Sequence, residues 1–596
     1  MKEIKSREEM DPKYTWDLTN LYASDEEWEK SYEKTLSIID DIEKYKGKLS
    51  ENGKTLLEAL ASYENISMNV NRLYTYAGKK HHQDTANATY QALESRAGSL
   101  QAKVVAKCSF MTPEIVSLGE DTVKEFINDT EGLKVYTNYL NNTLRDAKHV
   151  LSKEQEELLA KISEVTSAPA SIYSMIGNAD IKYKPALDSD GKQIEVTNGN
   201  ALRLFQSKDR VLRKNTYTSL YEPYLALKNT IAKTYASAVK GAVIDAKLRN
   251  HKSSLEASLF ADNLPVEIYT NLIETVSANL HHQHKYIEVV KDILGYDELH
   301  AYDMNVPLVD VEFDIPYEEA KEIVIKSLEP MGEEYLALIH KAFDEKWIDV
   351  YENKNKRSGA YSWSTYGATP HILMNYNGSL RSMFTLTHEL GHALHSCYTN
   401  NAQPAIYGSY TIFLAEIAST VNEALLMDYL LKTTTDKEKL KYLLRHYINN
   451  FRGTLIRQAM FAEFEMLIHG MEEKGQPLTV DSINKVYKDL DTKYLGKIIE
   501  ESEYTPYEWT KIPHFYRPFY VFQYATGFSA AIAISKAILS EGKPAVDRYV
   551  DMLKSGKSEY SIDILKKAGV DMTTKKPIED AMSVFADIVK AFEEAK

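Results

Sequence analysis

Apolar residues recur at helical spacing along most of this 596-residue chain, and only two stretches break the period. Ser24 and Glu27 have the spacing of a capping box, after which Trp28, Tyr32, Leu36, Ile39 and Ile42 mark one helix face until Gly47. From Leu56 to about Phe110 the helical period continues without a proline, and Ser152 with Gln155 opens another helix by the same device. From about Leu202 the pattern is helical again to the C-terminus.

The first break lies between Ile181 and Val196. Here Ile181 and Tyr183 alternate on one arm, Ile194 and Val196 on the other, and Asp188-Ser189-Asp190-Gly191 forms the bend of a predicted hairpin. The acidic bend lacks the rest of a twelve-residue calcium loop. The second break comprises two β-like runs, Lys356 to Trp363 and Pro370 to Tyr376. Unpaired backbone near Gly359 and Ala360 can bind an extended peptide as an added strand, or the sheet can be purely structural. The pattern predicts a mainly α protein in two parts. Residues 1–195 form an N-terminal helical lobe ending in the hairpin, and 196–596 a larger helical domain with a small β-sheet.

Directly after the second break comes Thr387-His388-Glu389-Leu390-Gly391-His392-Ala393-Leu394-His395. His388 and His392, four residues apart, share one face of a helix, where both imidazoles can reach one ion. Glu389 is about 100° further round, near a metal-bound water but off the metal. A solvated surface helix would carry polar neighbours. Instead Met383, Phe384, Leu386, Leu390, Ala393 and Leu394 make this one apolar, so its polar residues need partners to offset their desolvation. Two histidines do not complete a catalytic zinc site, which takes three protein ligands and leaves a position for water.

Glu416 is the candidate third ligand. It lies on a second predicted helix from about Thr411, within Phe413-Leu414-Ala415-Glu416-Ile417-Ala418-Ser419, at a separation a helix-turn-helix can close. Glu423 shares its face and is a candidate to hold a ligand imidazole by its other nitrogen, or else is a surface residue. His395, nearly two turns from His388, is too distant to bind the same ion and is substrate-side or structural. Oxyanion donors are sought in a His, Arg and Tyr cluster near the end, Pro513-His514-Phe515-Tyr516-Arg517-Pro518-Phe519-Tyr520 through Tyr524 and Gly527.

Composition narrows the partners. A net charge of -15 and the absence of a basic cluster argue against nucleic acid. Two cysteines far apart, Cys108 and Cys397, form no disulfide framework and suit a reducing, cytoplasmic setting. The first nine residues are charged and show no signal-peptide core. The apolar stretch Phe519 to Leu539 contains Gln523, Thr526, Ser529 and Lys536, so it reads as a buried helix and not a membrane span.

Taken together, Phe384 to His395, Ala415 to Ser419, His514-Phe515-Tyr516, Phe519 to Gly527 and the early Tyr14-Thr15-Trp16-Asp17-Leu18 resemble the oligoendopeptidase branch of the thimet-oligopeptidase-like family of zinc metallopeptidases. The resemblance spans nearly the whole chain. It implies a two-lobed helical zincin-type metallopeptidase with a deep central channel that admits oligopeptides. It also implies one zinc on His388, His392 and Glu416, Glu389 as general base, and His514 and Tyr520 against the tetrahedral intermediate. A further tyrosine of the thimet branch is replaced here by Gly527, so its role passes to Tyr516 or Tyr524 or is absent. Two rivals fit the same residues: a zinc carboxypeptidase, and a non-catalytic peptide-binding protein with a structural metal.

Overall fold

Helices dominate because the amphipathic repeats pack against one another, and each break in the period becomes a short strand or turn. The protein is described by a computed structural model covering residues 4–595, so the first three residues of the charged leader lie outside the described residues. Among the described residues no helix is long and apolar enough to cross a membrane. The chain forms two compact units, each assembled from three separate stretches. One contains the N-terminal segment through Lys148, Phe313–Tyr429 and Ile534–Val570; the other contains His149–Glu312, Leu430–Ala533 and the segment from Asp571. The hairpin at which the sequence suggests a lobe boundary lies inside the second unit.

In the first unit, helices Asp25–Ile38, Gly53–Gln83 and Ala88–Cys108 pack around a core that includes Trp28, Leu56, Leu60 and Leu100. Trp28 stacks on Tyr32 and donates its indole N–H to the Leu73 carbonyl at 2.9 Å. Ser24 caps its helix, accepting from the Glu27 amide at 3.4 Å, but the reciprocal half of the expected capping box is missing. The Glu27 carboxylate is paired with Lys30 instead, at 2.7 Å. The box at Ser152 and Gln155, which opens Lys153–Met175 in the second unit, is complete.

A three-stranded sheet lies in the first unit: β1 (Ile348–Asp349), β2 (Tyr361–Trp363) and β3 (His371–Leu373). The order is β1-β3-β2, with β1 parallel and β2 antiparallel to β3, so β2 is an edge. The hydrophobic pattern anticipates β2 and β3 but not the two-residue β1. Asp349, 1% exposed, ties this sheet to its surroundings by ion pairs of 2.5 Å to Arg7 and 2.6 Å to Lys356.

The second unit is built around helices such as Lys228–Leu248, Val266–Ala278, Arg457–Glu473 and Val480–Leu495. Its hairpin is shorter than the alternation predicts, with strands only at Ala186–Leu187 and Gln193–Ile194. The flanking residues find other partners: the Ile181 amide bonds the Ile176 carbonyl, and the Tyr183 hydroxyl donates to Asn198. Asp188 accepts from the amides of Asp190 and Lys192, closing the bend without an ion.

Candidate metal centre

The motif helix, Leu380–Ala402, starts at Ser379, whose hydroxyl accepts from the Ser382 amide, and buries Leu386, Leu390 and Leu394 completely. Pro404 and a short 3-10 turn at Ala405–Tyr407 end it, and the antiparallel return helix is Ile412–Thr433. What lets the two approach closely is Gly391. A Cβ at this position would stand 2.6 Å from both the Ala418 carbonyl oxygen and the Ser419 Cα. Asn422, fully buried, then fixes the register: its amide donates to the Thr387 carbonyl at 3.4 Å while its oxygen accepts from Tyr335 at 2.8 Å.

With the helices so placed, ligand atoms of His388, His392 and Glu416 lie within 4.8 Å of one another. The two Nε2 atoms are 3.2 Å apart, and a Glu416 oxygen is 3.5 Å from one and 3.8 Å from the other. Each imidazole is held from behind. Nδ1 of His388 meets Glu423 at 2.5 Å, and His392 bonds the backbone of Ala415, the residue before Glu416. With Nδ1–H donated to Glu423, Nε2 is the nitrogen of His388 that faces the cluster, and loss of its proton would free it to ligate a metal. Two imidazole nitrogens and a carboxylate oxygen converging in this way suit a borderline divalent cation, and the donors fit a metal. Burial acts against a charge on His388, but the Glu423 bond and the Glu423, Glu389 and Glu416 charges outweigh it and push its pKa up to about 9. His392 is driven well below the ordinary range by burial and by His388.

Glu389 is 6% exposed, with its pKa raised to about 7, chiefly by burial. One carboxylate oxygen takes a hydrogen bond from the backbone of Ser362 on β2, and the other has no partner. The edge strand therefore orients this carboxylate. Gly359 and Ala360 precede β2; the Gly359 carbonyl accepts from Asn375 at 2.8 Å, so that group is committed to the fold. His395 is fully buried with neither ring nitrogen hydrogen-bonded, and its ring lies on Tyr410 with centroids 3.6 Å apart. Tyr410 reaches Ser396 at 2.9 Å and the His392 carbonyl at 3.4 Å, bracing the motif helix.

The C-terminal candidates belong to the second unit. His514 is exposed, and Tyr520 is half-buried beneath the Arg517 guanidinium, 3.8 Å from its ring centroid. Tyr524 stands edge-on to both, at 6.3 Å from His514 and 5.5 Å from Tyr520. Tyr516 stacks on Tyr173 at 4.3 Å and points its hydroxyl to the Ile231 carbonyl, a packing role. Phe519, next to Tyr520, has φ 54°, a left-handed conformation that a bulky residue rarely adopts. Its amide donates at 2.9 Å to the fully buried carboxyl group of Glu465. Sequence reasoning missed Glu465 because its partner is 54 residues away; an acidic residue inside an apolar helix face was the available signal. Gly391 was missed too, although it stands inside the motif.

Fold and donor cluster together define a class, the helical metallopeptidases. The model of peptidase family M3 matches residues 203–584, and a model described as oligopeptidase F matches residues 114–183. Oligopeptidase PepF of Bacillus subtilis is 44% identical over 99% of this chain and 88% of its own length. A crystal structure from Chlamydophila abortus superposes with a TM-score of 0.93 at 33% identity, covering 100% of both chains. That of oligoendopeptidase-F from Enterococcus faecium gives 0.73 at 36% identity, covering 96% of this chain and 99% of its own. The chain belongs to peptidase family M3.

Proposed function

We propose that the protein is a zinc-dependent endopeptidase hydrolysing internal bonds of short oligopeptides, with His388, His392 and Glu416 as metal ligands and Glu389 as general base. The convergence of those three side chains beside Glu389 is the observation that carries this reading. Zinc bound there would polarise the scissile carbonyl and acidify a water to a pKa of about 7. The chain's own groups do the rest. Glu389, aimed by the Ser362 backbone, takes a proton from the attacking water and passes it to the leaving nitrogen. Glu423 keeps Nδ1 of His388 protonated and so frees Nε2 to ligate. On the family resemblance, His514 and Tyr520 donate to the oxyanion, each worth about 3 kcal/mol, and Tyr524 is the neighbour placed to assist.

The same reading places the enzyme in the cytoplasm, in keeping with its two free cysteines. Along the sequence, 1–195 is the N-terminal helical lobe ending in the hairpin and 196–596 the catalytic helical domain with the zinc site, a division in keeping with the M3 match that begins at residue 203. Glu389→Gln with mass-spectrometric mapping of a peptide-length series tests the mechanism. Expected are retained zinc, turnover down by several orders of magnitude, and parent enzyme that cuts internal bonds whether the C-terminus is free or amidated. Loss of cleavage on amidation would make it a carboxypeptidase, and unchanged turnover in the variant would remove Glu389 as the base.

A further inference from the structure

The second unit contains an open cavity of about 550 Å³, within the size range of small-molecule sites. One wall is the helix through Arg452, Gly453, Ile456, Arg457 and Phe461, which begins with a π-helical turn at Phe451–Ile456. Such widened turns are rare and gather at functional sites. Facing walls bring Asp491, Glu508 and Lys511 together with the rings of Tyr217, Tyr221 and Tyr302.

Charge pairing in this cavity is incomplete. Arg457 and Glu508 satisfy each other at 2.5 Å, and Tyr487 adds a hydrogen bond to Glu508 at 2.9 Å. Arg452 has only neutral partners, Gln283 at 3.2 Å and Asn449 at 3.3 Å, with the Tyr286 ring 5.1 Å away. Lys511 rests over the Tyr221 ring at 3.9 Å. Among the described residues neither cation is in an ion pair, Lys511 feeling Glu508 only at longer range, and the Asp491 carboxylate has no hydrogen-bond or ion-pair partner. Burial and the charge of Glu508 raise the Asp491 pKa to about 7 against the opposing charge of Arg457, which is itself committed to Glu508.

Partly desolvated groups of both signs, left unpaired around one volume, call for a ligand carrying both signs. A purely anionic ligand would leave Asp491 without a cation, and a purely cationic one would leave Arg452 without an anion. The aromatic walls favour a flat or apolar body between the two charges. We propose that this cavity is a second binding site, for a small zwitterionic peptide with an aromatic or apolar side chain, its carboxylate toward Arg452 and its ammonium toward Asp491. Binding here breaks no bond.

The test uses full-length, metal-loaded protein and a photoreactive dipeptide, alanyl-p-benzoylphenylalanine, with labelled segments mapped by mass spectrometry. Labelling is expected within 449–461 or 487–511. Alanyl-phenylalanine should compete, whereas its Nα-acetyl and C-terminal amide forms should each compete at least tenfold more weakly. Arg452→Gln and the isosteric Asp491→Asn should each reduce saturable labelling at least tenfold while cleavage of a longer peptide stays within twofold. If Arg452→Gln does not fold, Asp491→Asn carries the test alone. Label confined to other segments, equal competition by the acetylated peptide, or undiminished labelling of Asp491→Asn would each overturn the assignment.

Discussion

The helix pair around His388 and the loop through Tyr520 both present polar side chains from an apolar setting, yet they are held by opposite means. In the helix pair, backbone meets backbone at Gly391, and Asn422 locks the register with neutral hydrogen bonds. In the loop, a non-glycine residue in a left-handed conformation is secured by one buried carboxyl group. The first arrangement keeps its geometry through many shared contacts, and the second concentrates it in one bond. A substitution should therefore damage the first by steric displacement and the second by loss of a single acceptor.

Gly391→Ala should have the largest effect. The new Cβ meets main-chain atoms that cannot rotate away, so the helices must separate, costing about 1–3 kcal/mol and moving Glu416 off the imidazoles. Metal content, by elemental analysis, should fall from one per chain toward zero, with peptide cleavage down about a thousandfold. Full metal content at unchanged thermal stability would show that close approach at Gly391 does not set the cluster. Next in size, Glu423→Gln keeps a hydrogen-bond partner for His388 but removes its charge, and zinc affinity in a competitive chelator titration should weaken 10- to 100-fold. Unaltered affinity would make Glu423 dispensable to the imidazole it meets.

The same contrast explains what could be read from the sequence. His388, His392 and Glu416 were legible because helical periodicity and a turn fix which residues can meet, and their chemistry is distinctive. The sheet was legible in β2 and β3, where β-like residues cluster, but not in β1, whose two residues gain their strand conformation only from pairing with β3. The hairpin arms were overextended because alternation says nothing of Asn198 or Ile176, which claim the flanking groups. His395 sits on the ligand-bearing helix, yet its fate is decided by the Tyr410 ring, a tertiary contact without a local signal. Phe519 likewise shows no local reason for a left-handed conformation, which depends on Glu465.

Glu465→Leu takes away the acceptor for the Phe519 amide. That loop should relax toward ordinary backbone angles, lowering kcat about tenfold with little change in KM if Tyr520 acts on the transition state. A matching rise in KM alone would reassign Tyr520 to substrate binding.

Glu465→Gln is the gentlest change, and it separates the bond from the charge. The amide oxygen still accepts from Phe519, so activity should stay within about threefold of the parent. Stability should differ in its pH dependence. Burial raises the Glu465 pKa from an ordinary 4.5 to about 8. A carboxyl raised in the folded state binds its proton more tightly there than in the unfolded chain, so its contribution is fully present below about pH 4.5 and is lost as pH rises through 8. The parent should thus lose a few kcal/mol across that window, at about 1.4 kcal/mol per pH unit, from this group alone. The glutamine variant cannot ionise and should show a flatter profile, matching the parent near pH 4.5 and exceeding it at pH 9 in urea denaturation. Parallel profiles would mean that Glu465 keeps an ordinary pKa in the folded protein, and that the loop is held by a charge and not by a neutral carboxyl.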